Sequence, residues 1–287
     1  MLPLILALLG QSPAPPALVE RTVAVSVVDE KGNGVDGLTA QDLAIQEGGV
    51  WRELVRVEQD RRPLTVAVLV DSSQPMASLY RLHVTEALTA FLLRLPEGSR
   101  YAIWTTGDRA RKIYDYGSDR AAATRALRRV MPQGGNMLYD ALVEASKDLS
   151  DKEAERAAIV VVTGLGVGFA NYSRERVVEA LERAGVPVLS VAIEEVREPS
   201  PTGFSADDRL GAADYEYVLA NAARKTDGFT ESTLSGLGLD TALHRVSGEL
   251  HGRYRLTYLG PPGDRQPKLE VTVARPGAKV RVGSSRR

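Results

Sequence analysis

Asp71, Ser72 and Ser73 place one carboxylate and two hydroxyls at the end of an apolar run, Leu64-Thr65-Val66-Ala67-Val68-Leu69-Val70. A strand apolar on both faces belongs at the centre of a parallel sheet, and the carboxyl end of such a strand is where α/β proteins hold ligands. These group types admit two chemistries. Carboxylate and hydroxyl oxygens suit a hard cation such as Mg²⁺, and a serine near a helix start can serve as a nucleophile where a base adjoins it. No sequence feature supplies a base for Ser72. His83, His244 and His251 fall in no His-Glu-x-x-His pattern, and there is no Gly-x-Ser-x-Gly elbow. The chain is therefore read as non-enzymatic.

A second candidate is Gly164-Leu165-Gly166-Val167-Gly168, which follows an apolar run and has Glu194 and Glu195 further on, as a dinucleotide-binding unit would. The spacing fails. Position 169 is Phe169 where the third glycine belongs, and the next helix is expected only near Ser173, too late for its N-terminus to cradle a pyrophosphate. A loop is the better account of these glycines.

The elements that must position these groups follow from periodicity. Residues 21–59 alternate apolar and polar with Gly and Asn punctuation, which predicts antiparallel strands and turns. From Leu64 the pattern becomes strands alternating with helices, with strands expected at 65–70, 100–105, 111–116, 157–163 and 186–193. Helical faces are formed by Val84, Leu88, Phe91, Leu92 and Leu95, by Leu138, Leu142, Ala145 and Leu149, and by Val177, Val178, Leu181 and Ala184. Residues 197–213, rich in Pro, Ser, Gly and Asp, read as a long loop before helices at 214–225 and 238–250. Alternation returns in Tyr254–Leu259 and Leu269–Val273. Strands from both ends of the chain are expected to pair into one small accessory sheet.

The landmarks Asp71-Ser72-Ser73-Gln74-Pro75-Met76, Gly134-Gly135-Asn136-Met137-Leu138-Tyr139-Asp140 and Ala158-Ile159-Val160-Val161-Val162-Thr163-Gly164 resemble, in order, those of a von Willebrand factor A-type domain. Leu38–Leu43 and the Tyr254–Val271 tail look like the flanking strands of its bacterial relatives. The resemblance implies an α/β fold: a doubly wound, mostly parallel sheet of Rossmann type, with accessory antiparallel β strands from both termini. The chain is then expected to divide into a signal peptide (1–17), read from its composition, and, by the resemblance, N-terminal accessory strands (20–60), the A-like domain (62–250) and C-terminal accessory strands (252–283).

The family pattern also implies a metal-ion-dependent adhesion site, in which an Asp-x-Ser-x-Ser loop, a Thr and a further Asp hold Mg²⁺ for a partner's carboxylate. This chain keeps Asp71 and Ser73 but has Pro75, Asn136 and Gly164 where the second Ser, the Thr and the Asp belong. Pro75 and Gly164 bring no side-chain oxygen, and Asn136 brings one neutral oxygen. The expectation is a degenerate site with no cofactor, Asp71, Ser73 and Asn136 being remnant positions; Asp71 would accept local N–H bonds and Ser73 would cap the next helix. The alternative is weak Mg²⁺ binding through those three residues.

The resulting function is that of an interaction module for a protein or cell-surface partner, with contacts from Ser72, Gln74, Asp108, Arg109, Asn136 and Phe169 on the carboxyl-edge loops. Asp140 is expected to make a structural hydrogen bond near the second of those loops. Composition agrees with this class and excludes others. Lys+Arg 36 against Asp+Glu 37 gives a net charge of -1, so no nucleic-acid partner is expected. Arg120, Arg125, Arg128 and Arg129 read as the solvated face of a helix, with a patch for phosphate or an acidic partner as the alternative. The absence of cysteine removes disulfides and thiolate chemistry. Met1–Gly10 is apolar, too short to span a bilayer, and runs into Gln11-Ser12-Pro13-Ala14, resembling a signal peptide and thus a periplasmic or secreted protein without a stable transmembrane span.

Overall fold

The computed structural model describes residues 17–164, 168, 170–197, 206–263 and 268–283. The signal-peptide reading of 1–17 therefore falls almost wholly outside the described residues, as does Phe169.

In chain order the elements are β1 (Val19–Val28), β2 (Leu43–Glu47), β3 (Val50–Arg52), β4 (Leu54–Gln59), β5 (Thr65–Val70), α1 (Ala77–Leu79), α2 (Thr85–Arg94), β6 (Arg100–Thr105), β7 (Arg111–Gly117), α3 (Arg120–Arg128) and α4 (Leu138–Asp151). Then follow β8 (Ala157–Thr163), α5 (Arg174–Ala184), β9 (Val188–Ile193), α6 (Ala206–Lys225), β10 (Phe229–Thr233), α7 (Leu239–His251), β11 (Arg253–Gly260), β12 (Leu269–Val273) and β13 (Lys279–Val282). A π-helical turn, Tyr80–Val84, joins α1 to α2.

The central sheet has the order β10-β9-β8-β5-β6-β7 and is parallel except for β7, which pairs antiparallel with β6. The strand order reverses between β5 and β8, which opens a crevice beyond their carboxyl ends. Alternation along β5 supplies both faces. Val66, Val68 and Val70 pack with Met76, Leu88, Phe91, Leu243 and Val246 on one side, whereas Ala67 and Leu69 pack with Leu142, Ala145, Val178, Leu181 and Leu219 on the other. A doubly wound sheet results, as the resemblance implies, and the side chain following Val70 is held at the crest by two packed layers.

Three expectations are corrected. The loop expected over 197–213 gives way to helix at Ala206, where α6 begins; Ala206, Ala212 and Ala213 are strong helix formers, and the lone Gly211 costs only about 1 kcal/mol. Strand β10 went unrecognised, because Phe229-Thr230-Glu231-Ser232-Thr233 is a half-exposed edge with one apolar residue. The terminal strands form two sheets rather than one, β13-β1-β11-β4 and β12-β2-β3, each mixing strands from both chain ends. They share one apolar cluster that includes Val23, Val25, Val27, Ile45, Tyr254, Leu256 and Tyr258. A single sheet of this length would leave that face wet, and two sheets bury it.

The accessory sheets are fastened to the central domain at the edge opposite the crest. Ser26 of β1 donates to the buried Glu249 of α7, and Arg281 of β13 donates to the same carboxylate at 3.2 Å. Asp60 lies between Arg62 and Arg156 at the same junction.

Candidate functional site

Three loops meet at the crest where β5, β6 and β8 end. Asp71 follows β5 and is 1% exposed. Its Oδ1 accepts the backbone N–H of Ser73 at 2.9 Å. Its Oδ2 accepts from Asn136 Nδ2 at 3.0 Å, from Thr163 Oγ1 at 3.2 Å and from the backbone N–H of Gly164 at 3.0 Å. Both carboxylate oxygens are thus satisfied by donors of the protein itself, which is what a buried charge requires.

Asn136 is the centre of this arrangement and is fully buried. Its Oδ1 accepts from Thr106 Oγ1 at 2.6 Å, while Nδ2 also reaches Thr163 Oγ1 at 3.1 Å. The orientation of the amide follows from chemistry, because turning it over would set its carbonyl oxygen against the Asp71 carboxylate. The backbone of Asn136 bridges Gly107 on one side and Gly168 on the other, and its carbonyl oxygen accepts from Tyr215 Oη at 2.6 Å. Burial raises the Tyr215 phenol well above its ordinary pKa, and the charge of Asp71 adds to this, so the hydroxyl remains a donor.

The residues singled out in the sequence divide into an inner and an outer set. Ser72 and Asn136, expected among partner contacts, are internal. Ser72 Oγ accepts the N–H of Gly107 at 2.9 Å and the Ser72 carbonyl accepts the N–H of Gln133 at 2.9 Å, so the residue ties the second loop to the first. The approach is so close that a Cβ on Gly107 would lie 2.2 Å from the Ser72 carbonyl oxygen. Ser73 is also buried, and its hydroxyl makes no capping bond to the 3-10 turn Gln74–Met76, contrary to the expectation. Pro75 at the start of that turn already supplies the fixed φ that a helix entry needs.

Gln74, Asp108 and Arg109 are exposed on the crest. Asp140 accepts from the backbone N–H and the Nδ2 of Asn171 at 3.1 and 2.7 Å, a structural role as expected, but its partner lies on the third loop and not the second. Sequence reasoning missed Thr106, Thr163 and Tyr215. Thr163 carried a readable signal, a polar residue closing a buried strand as Asp71 does; Thr106 lies just beyond β6 in the same way. Tyr215 gave none, since its partner is a backbone carbonyl 79 positions away.

Residues 66–167 match the family model described as von Willebrand factor type A domain. Over those residues the chain is similar to a von Willebrand factor A-type domain. No curated protein matches it by sequence. Among solved structures, a von Willebrand factor type A protein from Catenulispora acidiphila is similar with a TM-score of 0.53 at 12% identity, over 95% of this chain and 74% of its own. Proximal thread matrix protein 1 from the mussel byssus is similar with a TM-score of 0.51 at 20% identity, over 72% of this chain and 49% of its own. The chain thus spans about half the length of the byssus protein, and the likeness to both is one of fold. A-type domains are interaction modules rather than enzymes as a family. Among the described residues no helix is long and apolar enough to cross a membrane.

Proposed function

We propose that this A-type domain is an exported, non-catalytic protein-binding module whose crest works without a divalent cation. The observation that carries the proposal is the amide of Asn136, which donates to Asp71 Oδ2 at 3.0 Å from the position where the family pattern has a metal-ligating hydroxyl.

The residues present do not fit Mg²⁺. That ion takes a near-octahedral shell of oxygens at short distance and gives up water reluctantly. Here the groups facing Asp71 are donors: an amide N–H, a hydroxyl hydrogen and two backbone N–H groups. The Asn136 oxygen turns the other way, toward Thr106. Pro75 and Gly164 bring no side-chain oxygen. The Asn136 amide thus does part of what a cation would do, supplying positive charge density to the carboxylate and drawing the three loops together.

With no ion to bridge a partner, recognition falls to exposed side chains on the same rigid loops, Gln74, Asp108 and Arg109. Export rests on the signal-like composition of Met1–Gly10, and N-terminal sequencing of the protein recovered from its native host would reveal a processed start.

Calorimetric titration with Mg²⁺ and Mn²⁺ is expected to give no isotherm. An isotherm that disappears in Asp71→Ala would overturn the metal-free reading. The converse test is the triple variant Pro75→Ser, Asn136→Thr, Gly164→Asp, which is expected to gain divalent-cation binding by restoring the oxygen donors of the family pattern.

A further inference from the structure

Beside the Asp71 cluster, between the β6–β7 turn and the C-terminal end of α3, lies an open cleft of about 610 Å³. Arg109 and Arg111 line it from the turn and the start of β7, and Arg129, the C-cap of α3, lines it from the opposite wall. All three are exposed, and among the described residues none of their guanidinium groups forms an ion pair or a side-chain hydrogen bond.

The neighbouring charges do not neutralise them. Lys112 also lines the cleft, but its ammonium is held by Asp115 and Asp148 at 2.9 Å each and lies over the Trp104 ring. Asp108 is the one carboxylate in the lining, and it folds over Gly134, where an added Cβ would lie 2.8 Å from its Oδ1. A chain whose net charge is -1 therefore concentrates three unpaired guanidinium groups around one concavity. A concave wall with an excess of one sign focuses its field and raises the local concentration of the opposite charge.

The rest of the lining narrows the ligand. Guanidinium forks match carboxylates in paired hydrogen bonds, so two or more carboxylates would engage the arginines. Between the arginines the wall is apolar, formed by Ile113, Ala126, Val130 and Met131, the last 80% exposed. No aromatic ring lines the cleft, so it lacks the stacking platform on which single-stranded nucleic acids lie.

We propose that this cleft binds an acidic polypeptide segment, its carboxylates on Arg109, Arg111 and Arg129 and an apolar side chain against Val130 and Met131. This inference rests on reading the crest as the interaction face and names the chemistry of the partner.

The test uses the full chain and a short fluorescent peptide of alternating Glu and Leu, followed by anisotropy in EDTA and, in a parallel titration, in Mg²⁺. Binding is expected at low ionic strength, weakening as salt rises. The variant Arg109→Gln/Arg111→Gln/Arg129→Gln changes only exposed side chains, so it should keep the melting temperature and lose affinity by about tenfold or more. A peptide with Gln for Glu should not bind. Absence of binding, equal binding by the triple variant, or a preference for a sulfated oligosaccharide over the peptide would overturn the proposal while leaving the metal-free crest standing. Binding that requires Mg²⁺, fails in Asp71→Ala and ignores the arginines would overturn both.

Discussion

Tyr215 Oη donates to the carbonyl oxygen of Asn136 at 2.6 Å, and through this bond helix α6 is fastened to the loop that delivers Asn136 to Asp71. The Tyr215 ring is held in turn by an edge contact with Tyr139, the centroids 5.1 Å apart. Packing on one face of the sheet therefore sets the position of an amide at its crest. The bonds of Asn136 to Asp71 and Thr106 need that position fixed, since hydrogen bonds weaken steeply once donor and acceptor are misaligned.

Removing the phenol hydroxyl tests this link. Tyr215→Phe leaves the buried Asn136 carbonyl oxygen short of a donor and is expected to cost about 1–2 kcal/mol, measured by urea denaturation. The variant should still fold, because the ring and its contact with Tyr139 remain. A change within measurement error would show that the bond contributes nothing to holding the loop.

Asn136→Ala is expected to cost more. It strips one of the three donors from Asp71 Oδ2, a donor from Thr163 Oγ1 and the acceptor from Thr106 Oγ1 together, a loss of about 2–4 kcal/mol in a buried network around a carboxylate. Addition of Mg²⁺ should not restore the lost stability, because the remaining side-chain oxygens, those of Asp71, Ser73, Thr106 and Thr163, include a single carboxylate. Recovery of the melting temperature with millimolar Mg²⁺ would count against the account of Asn136 as a stand-in for an ion.

Gly168 lies directly beneath the Tyr215 ring, where an added Cβ would come within 1.3 Å of Oη. Gly168→Ala is therefore expected to destabilise severely, and the cause is specific enough to be tested by a double variant. Tyr215→Ala alone opens a cavity costing about 3–5 kcal/mol. Adding Gly168→Ala to it should cost little more, a strong non-additivity of the kind that marks two residues in contact. Additive losses would mean that Gly168 is needed for its backbone freedom and not for the space it leaves.

These relationships were unequally legible in the sequence. The crest itself was readable, because Val66 to Val70 bury alternate side chains on two faces and so force Asp71 to the end of a central strand. Asn136 was readable as a departure from a motif, yet its role was not, since nothing in the chain states which way an amide turns. Direction came from Thr106 and Thr163, hydroxyls at strand ends brought together only by the register of β5 between β6 and β8. Strand character in the terminal segments was equally plain from alternation, but alternation names a strand and not its partner. The pairing of β1 with both β11 and β13 depends on contacts more than 200 positions apart, and so does the division into two sheets. The arginine cleft shows the same limit. Arg129 reads locally as the solvated end of a helix, and it becomes part of a concave site only when the β6–β7 turn brings Arg109 and Arg111 across from it.

Acid stability depends on Asp60 at the junction between the accessory sheets and the central domain. Asp60 accepts from Arg62 Nε at 2.8 Å and Nη2 at 2.7 Å, and Arg156 Nε lies 3.8 Å from its Oδ2. Burial by itself would raise the Asp60 carboxyl, but the bonds from Arg62 and the charges of Arg156 and Arg62 outweigh it and hold the group below its ordinary value of 3.8. A carboxyl with a lower pKa in the folded state gives up its proton more readily there than in the unfolded chain. Its contribution is therefore complete above pH 3.8 and is lost as pH falls from there through the folded-state value. Asp60→Asn should remove that part of the acid limb and flatten stability against pH in this window. At neutral pH it should cost about 2–3 kcal/mol, because the buried Arg156 loses its carboxylate and keeps only backbone carbonyl acceptors. Thermal melts of the two proteins across the acid range check the claim, and parallel curves below pH 4 would show that Asp60 titrates alike in both states.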